Sequence, residues 1–274
     1  MSVFSNNRFL KRVNPEIVRA KDDSGSSLNH PEIQKLMRQM VDLGIADNLK
    51  LWVHSGLVKT RTSGSDTFVT KVYDISGNEN DGVQATEANQ PELKEKGLEY
   101  VLANSLNAGT GLSMTNNISV CGWINTSVSN RTWLPIASRW FFDNSRVWII
   151  ALNLGKIYAG VSNNGTVTGT GHKVYMSANT VNNGVWRHVG FTFATNIFKI
   201  FLDGTELTPD TSGGDHTVNS LLDDSDIIAQ IGQWDVSASS YVGLLNDIRI
   251  FNKALSATKN SAIFNATKGF YGIT

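Results

Sequence analysis

The sequence is short of several features, and each shortage excludes a class of protein. It has a single cysteine, Cys121, so no disulfide can form within the chain. Only 5 of its 274 residues are proline whereas 24 are glycine, which suits many strands joined by glycine-containing turns. No run approaches the ~18 apolar residues of a membrane-spanning helix, so we expect no membrane span.

An excess of charge of either sign is also missing. The 24 Lys and Arg residues balance 24 Asp and Glu residues. The chain therefore lacks the surplus of positive charge that usually accompanies binding to nucleic acid or to an anionic membrane surface, and we expect no nucleic-acid partner. The first residues contain no apolar core of signal-peptide length, which predicts synthesis and folding in a reducing cytoplasm.

The first part of the chain, residues 1–48, is basic and polar before it gives a helix signal. Asn29 can cap a helix that has Pro31 in its first turn, and Gly44 can end it. Apolar side chains recur along this helix at helical spacing, namely Ile33, Leu36, Met37, Met40 and Val41.

This apolar stripe has two interpretations. The helix packs on its own domain, as amphipathic helices commonly do. Alternatively, residues 1–48 form an arm that docks the stripe on another subunit or on a host assembly. The polar segment DDSGSS at 22–27 is poorly suited to packing by itself and favours the arm. We therefore predict a docking arm over 1–48 and a separate domain over 49–274.

From Leu49 onward, short β-runs alternate with turn-rich pieces. About eleven runs and one terminal helix, from Ser256 to about Thr267, predict an all-β fold of two packed antiparallel sheets. Within residues 185–207, two runs are expected to meet near a tight turn at Asp203 and Gly204.

Four segments carry a resemblance to a known family: VYDISGNENDGVQ (72–84), SVCGWINTS (119–127), VWRHVGFTF…FKIFLDG (185–204) and GLLNDIRIFNKALS (243–256). In this order they resemble the laminin-G-like, concanavalin A-like jelly-roll family over residues 49–274. The family often has an acidic residue where this chain has Asn246. The resemblance implies a jelly-roll sandwich, and the family includes binding modules, hydrolase appendages and viral surface proteins, so the fold alone does not fix the function.

Catalytic patterns find little support in the sequence. Glycoside hydrolases on a similar jelly roll use Glu-x-Asp-x-x-Glu on one strand, but the match at Glu79 and Asp81 lies in a turn-like segment with Gln84 in the third position. Cys121 lies in an apolar run, which is typical of a buried thiol. We therefore predict that the chain is not an enzyme.

A calcium ion is the one cofactor that the resemblance suggests, since these domains often hold one at a loop edge. Asp74, Asn78 and Asn80 supply the hard oxygen ligands that calcium prefers. The alternative is a turn in which Asp74 accepts hydrogen bonds from nearby backbone N–H groups.

Aromatic residues beside polar ones are the best signal for a glycan site, because sugar C–H faces stack on such rings. Trp234, Asp235 and Tyr241 form one cluster in GQWDVSASSY, and Trp140 precedes another polar turn. The alternative is that Trp234 folds back onto the sandwich.

These features favour a virion structural protein, made in the host cytoplasm, as capsid decoration or as a head or tail fibre of a bacteriophage. The expected partners are other virion proteins, further copies of the chain and surface glycans. The alternatives are a free carbohydrate-binding module and a polysaccharide-active enzyme.

Overall fold

A computed structural model describes residues 31–141, 145–167, 170–210, 214–235 and 239–274, with side chains from Lys35 onward. The described part of the chain contains two α-helices, α1 (Pro31–Asp42) and α2 (Ala257–Thr267). Seventeen strands lie between them: β1 (Leu49–Val53), β2 (Val58–Ser63), β3 (Asp66–Val72), β4 (Gly82–Val83), β5 (Glu92–Lys94), β6 (Gly97–Tyr100), β7 (Leu106–Asn107), β8 (Asn117–Asn125), β9 (Trp133–Trp140), β10 (Arg146–Asn153), β11 (Lys156–Gly165), β12 (His172–Thr180), β13 (Arg187–Ala194), β14 (Ile197–Leu202), β15 (Thr205–Leu207), β16 (Gln230–Ile231) and β17 (Gly243–Phe251).

The strands form two layers in which the described pairings are antiparallel. One layer, called the helix-side layer, has the order β15-β14-β13-β8-β17-β1. The other, called the open-side layer, has the order β12-β11-β10-β9-β16-β7-β4-β3-β2. Strands β5 and β6 connect the two layers. The prediction of an all-β, two-sheet antiparallel jelly-roll sandwich with a C-terminal helix is confirmed.

The main core lies between the layers and is built by side-chain alternation. Val189, Phe191 and Phe193 on β13 point into it from the helix-side layer, and Ile150 and Leu152 on β10 point into it from the open-side layer. Each predicted β-run contains a strand. The pattern missed β2 (VKTRTS), which is rich in polar residues because it lies at the edge of the open-side layer.

The segment 185–207 contains two tight turns rather than one. Strands β13 and β14 meet at Thr195 and Asn196, whose φ angles are 36° and 66°, so the expectation that these runs meet near Asp203 is wrong. Asp203 and Gly204, at φ 47° and 76°, do form a tight turn, but it connects β14 to β15. Positive φ at both central residues is typical of the turns that match strand twist.

Helix α1 packs on the chain's own sandwich, which corrects the docking prediction for its stripe. Leu36, Met37 and Met40 are buried in a cluster with Trp52 of β1 and Phe251 of β17. The physical reason is that these strands expose large apolar side chains on their outer side, and the stripe covers them.

The other two residues of the predicted docking stripe add little to it. Val41 is partly buried against the same cluster, and the side chain of Ile33 lies outside the described residues. The predicted division of the chain at residue 48 stays a prediction.

The ends of the two helices follow the sequence signals. After α1, Gly44 has φ 64°, its N–H donates to the Val41 carbonyl, and Ile45 N–H donates to the Met40 carbonyl. This is the Schellman arrangement that a glycine after a helix predicts. Ser256 caps α2 by accepting from Lys259 N–H at 3.3 Å. Neither helix of the described chain is long and apolar enough to cross a bilayer.

Candidate binding face

Four aromatic side chains gather on the outer side of the open-side layer. Trp133 and Trp140 extend from the ends of β9, Tyr158 from β11, and Trp234 from the loop after β16. We call these four residues the aromatic face. On β10, Ile150 packs in the main core, whereas the adjacent residue Ile149 contacts the aromatic face, as expected for alternating strand positions.

The rings of the aromatic face are in mutual contact. The Trp133 and Tyr158 ring centroids are 4.8 Å apart in an edge-to-face arrangement, and Trp133 lies 4.9 Å from Trp234. Trp133 and Tyr158 are half-buried, whereas Trp140 and Trp234 keep only 5% and 7% of their surface. The first pair therefore presents ring surface to solvent, and the second pair supports it from behind.

The loop that carries Trp234 is fixed by backbone hydrogen bonds. Gly232 N–H donates to the Ile136 carbonyl at 3.0 Å, and the Gly232 carbonyl accepts from Tyr241 N–H at 2.7 Å. A Cβ at Gly232 would lie 2.3 Å from the Tyr100 ring, and its φ is 81°, so a glycine is required there. These constraints hold Trp234 against Trp133.

Polar groups border the aromatic face. Burial raises the pKa of Tyr158 to about 12, with the nearby Arg146 opposing this rise. Trp234 Nε1 is buried, and no described residue accepts a hydrogen bond from it. Asp235, whose φ is 50°, is half-buried and donates its N–H to Gln230 Oε1 at 3.1 Å. An apolar ring surface beside polar groups is the chemistry that binds sugars.

The structure brings together only part of the predicted ligand-binding set. Trp140 and Trp234 share one cluster, and Asp235 lies next to it in sequence. Tyr241 does not join them, which corrects the prediction: it is fully buried in the main core, edge-to-face with Tyr100 at 6.4 Å. Trp133 and Tyr158 were missed. Tyr158 stands between Ile157 and Ala159 of the main core, and this alternation could have indicated its outward direction, whereas β9 (WLPIASRW) gives no such signal for Trp133.

The predicted calcium ligands form a turn. Asp74 Oδ1 accepts from the N–H groups of Trp52 and Ser76, both at 2.9 Å, and Oδ2 accepts from Ser76 Oγ and Asn80 N–H at 2.7 and 3.1 Å. Burial raises the pKa of this carboxyl above its ordinary 3.8, although these bonds oppose the rise. Because four protein donors occupy both oxygens, Asp74 stabilises the turn instead of offering a ligand to calcium.

Asn78 and Asn80 also bind the chain itself. Their Nδ2 groups donate to the carbonyls of Leu49 and Lys50 at 2.9 and 2.8 Å. Among the described residues, no three His, Cys, Asp or Glu side chains lie close enough together to hold a metal ion.

The carboxylates of the glycosidase-like pattern are not aligned. Glu79 is exposed in a turn at φ 61°, whereas Asp81 pairs with Lys71 at 2.6 Å and accepts from Asp74 N–H. Burial raises the pKa of the Cys121 thiol to about 12, so it stays protonated.

The outer side of the helix-side layer carries a buried ion pair that the sequence did not reveal. Asp247 accepts from Arg249 Nε and Nη2, both at 2.8 Å, and from Trp52 Nε1 at 2.6 Å. The guanidinium lies 4.5 Å from the centroid of the Trp52 ring, and α1 covers it through Met40. Asp247 has φ 53° at a register shift between β17 and β8. Its neighbour Asn246 accepts from Ser55 N–H at 2.9 Å.

Comparison with known sequences gives one family match. A laminin G family model, described as the Concanavalin A-like lectin/glucanases superfamily, matches residues 98–259. None of the curated proteins matches the sequence significantly.

Comparison with solved structures gives several similar folds. The binding domain of Paraclostridial Mosquitocidal Protein 1 is 14% identical at a TM-score of 0.54, covering 83% of this chain and 56% of that one. The ligand binding domain of botulinum neurotoxin serotype D, in complex with N-acetylneuraminic acid, is 15% identical at 0.55, covering 84% and 55%. The present chain thus spans little more than half of these proteins, and the likeness is one of fold.

Proposed function

Because the chain belongs to the Concanavalin A-like lectin/glucanases superfamily, we propose that it is a non-enzymatic recognition domain that binds a saccharide through its aromatic face. One observation carries the proposal. The half-buried rings of Trp133 and Tyr158 lie 4.8 Å apart on a sheet face that neither described helix covers. Such rings accept the C–H faces of a sugar, and the polar border selects its hydroxyls.

The similar structures support the same class of function. They are described as binding domains, and one of them holds N-acetylneuraminic acid. The pairing of Asp81 with Lys71 and the saturated hydrogen bonding of Asp74 support the absence of catalysis, because neither carboxylate is available as a general acid or base.

The proposal extends to placement on a virion, as capsid decoration or as a head or tail fibre, with further copies of the chain and other virion proteins as partners. The support is the basic segment that precedes α1 in the sequence. Deletion of residues 1–30, which spares α1, tests it: occupancy on purified particles should fall while glycan binding is kept. Undiminished occupancy would contradict docking by this segment and would favour a free carbohydrate-binding module.

A glycan array with matched variants tests the aromatic face. Trp133→Ala and Tyr158→Ala should each weaken binding of the best-bound glycan by about fivefold or more, since stacking on an aromatic ring contributes roughly 1 kcal/mol or more. Phe68→Ala is the control. Phe68, on β3, is also half-buried, but its ring packs under Arg61 of β2 and lies outside the aromatic face.

Two outcomes would contradict the proposal. The first is an array on which the wild-type chain binds nothing. The second is the release of new reducing ends from a bound polysaccharide, which would favour the enzyme instead.

A further inference from the structure

A cavity lies outside the aromatic face, since none of its lining residues belongs to that face. It has a volume of about 480 Å³ and opens between the start of β1, the turn at 78–80 and the loop at 111–117. This volume falls in the range of roughly 300–1,000 Å³ that is typical of small-molecule sites. Five asparagines contribute to its lining: Asn78, Asn80, Asn116, Asn117 and Asn252. We call it the amide cleft.

One wall of the amide cleft is fixed by the turn around Asp74. Asn78 and Asn80 use their Nδ2 groups on the backbone carbonyls of β1, at 2.9 and 2.8 Å. A carbonyl needs a donor, so these contacts fix the direction of each side-chain amide. Both side-chain oxygens are thereby left as acceptors. Asn80 Oδ1 faces the opposite wall closely, since a Cβ on Gly111 would lie 2.2 Å from it.

The opposite wall is held by a fully buried arginine. Arg139 on β9 donates to the Leu112 carbonyl at 3.0 Å and to the Asp224 carbonyl at 2.6 Å. Thr115 is tied to the same region because its carbonyl accepts from Leu221 N–H at 2.7 Å. The loop at 111–117 is therefore bound on both sides, and the cleft is held in shape without a ligand.

The charge of the amide cleft has one sign. Among the described residues that line it, Lys50 is the cation and no side chain is a carboxylate. Lys50 is half-buried, and no described side chain pairs with its ammonium group. Asn252 Oδ1 accepts from Asn48 at 3.3 Å, so its Nδ2 remains a donor beside Lys50. The lining of the cleft thus offers donors, on Lys50 and Asn252, and acceptors, on Asn78 and Asn80.

We propose that the amide cleft binds an acidic saccharide, with its carboxylate toward Lys50 and its hydroxyls donating to the side-chain oxygens of Asn78 and Asn80. A carboxylate beside an unpaired ammonium forms a charge-assisted hydrogen bond, and hydroxyls are the donors that two amide oxygens require. The proposal rests on the proposed recognition function of the domain, but not on the aromatic face.

The test compares two probes that differ in one carboxylate, methyl β-glucuronide and methyl β-glucoside, by calorimetric titration of the full chain. The wild-type chain should prefer the glucuronide by about tenfold, the factor that ~1.4 kcal/mol represents. Lys50→Gln should remove this preference, and Lys59→Gln on the exposed edge of β2 should keep it. Asn116→Asp adds a carboxylate at an exposed position of the cleft. It should weaken binding of the glucuronide and leave binding of the glucoside unchanged.

Either of two results would contradict the proposal that the amide cleft binds an acidic saccharide. The first is that the wild-type chain shows no difference in affinity between the two probes. The second is a preference for the glucuronide that is kept in Lys50→Gln. Trp133→Ala separates this proposal from the preceding one. It should leave the glucuronide preference unchanged, and a preference lost in Trp133→Ala but kept in Lys50→Gln would assign the acidic saccharide to the aromatic face.

Discussion

Both outer faces of the sandwich carry tryptophan side chains, but the helices bury those of one face and leave the other face partly exposed. On the helix-side layer, Trp52 and Trp123 point outward and are fully buried beneath α1 and α2. On the open-side layer, Trp133 also points outward, yet it stays half-buried because neither described helix packs on it. Among the described residues, its cluster consists of three other aromatic side chains with Ile149 and Ala151. Covering by the chain's own helices, not residue type, decides which face is available to a ligand.

The difference extends to charge. The covered face contains the Asp247–Arg249 pair, whose two side chains keep 2% and 0% of their surface. A pair removed from water in this way depends on both partners and on the helix above it. The aromatic face holds no such pair among its described residues, so substitutions there should affect binding more than stability.

The largest effect should come from breaking the buried pair. Asp247→Ala leaves the Arg249 charge buried without a carboxylate and should lower the free energy of unfolding by about 3–5 kcal/mol. Urea unfolding measures it. Glu206→Ala is the matched control, because Glu206 pairs with Lys199 at 2.9 Å on the surface and should cost about 1 kcal/mol or less. Equal losses in the two variants would show that burial of the pair is unimportant.

The next effect concerns the cover itself. Met40→Ala removes a fully buried side chain between α1 and Arg249 and should lower the free energy of unfolding by about 3 kcal/mol. Arg38→Ala, on the exposed side of the same helix, should change it by about 0.5 kcal/mol or less. If Met40→Ala unfolds like the wild-type chain, α1 does not stabilise the covered face.

A smaller effect should appear on acidification. Burial lowers the pKa of His188 from 6.5 to about 4, while Asp247 opposes and Arg249 adds to this lowering. Between these pH values the unfolded chain binds a proton that the folded chain excludes, so stability falls as the pH drops. The free energy of unfolding should therefore be about 2 kcal/mol lower at about pH 5 than at about pH 7 because of this group. His188→Gln should show a correspondingly smaller loss, and an unchanged pH dependence would contradict the assignment.

The smallest effect on stability should come from the aromatic face. Trp133→Ala truncates a ring that is already partly exposed, so we expect the free energy of unfolding to fall by about 1 kcal/mol, well below the loss for a core side chain. Trp123→Ala, which removes a fully buried ring that donates to Thr267 Oγ1 at 2.9 Å, should cost about 3–5 kcal/mol. Comparable losses of stability in the two variants would show that the two faces are equally buried in solution, contradicting the comparison.

Local pattern predicted most of the sandwich. Strand β13 could be assigned because Val189, Phe191 and Phe193 alternate with smaller or polar residues, and α2 because Ser256 caps it. The same reasoning identified the stripe of α1 but could not tell which surface buries it, since that depends on strands far along the chain. Strand β2 was missed because its exposed edge needs no apolar side chains.

The candidate sites depend even more on the distant pairings. Trp140 and Trp234 lie 94 positions apart and meet only because β16 pairs with β9. Tyr241 is close to Trp234 in sequence, but Gln233 pairs antiparallel with Ser240, and Tyr241 enters the main core. The Asp247–Arg249 pair requires the register shift in β17, which no spacing rule indicates.

The placement of α1 and α2 has a consequence for how the domain can be tethered. Both helices lie on the helix-side layer, and Lys259 of α2 donates to the Leu43 carbonyl just beyond α1. A linker or fusion partner joined before α1 or after α2 therefore departs from the side opposite Trp133 and Tyr158. Immobilisation on a surface through either helix would leave these two rings directed away from the support and accessible to a ligand in solution.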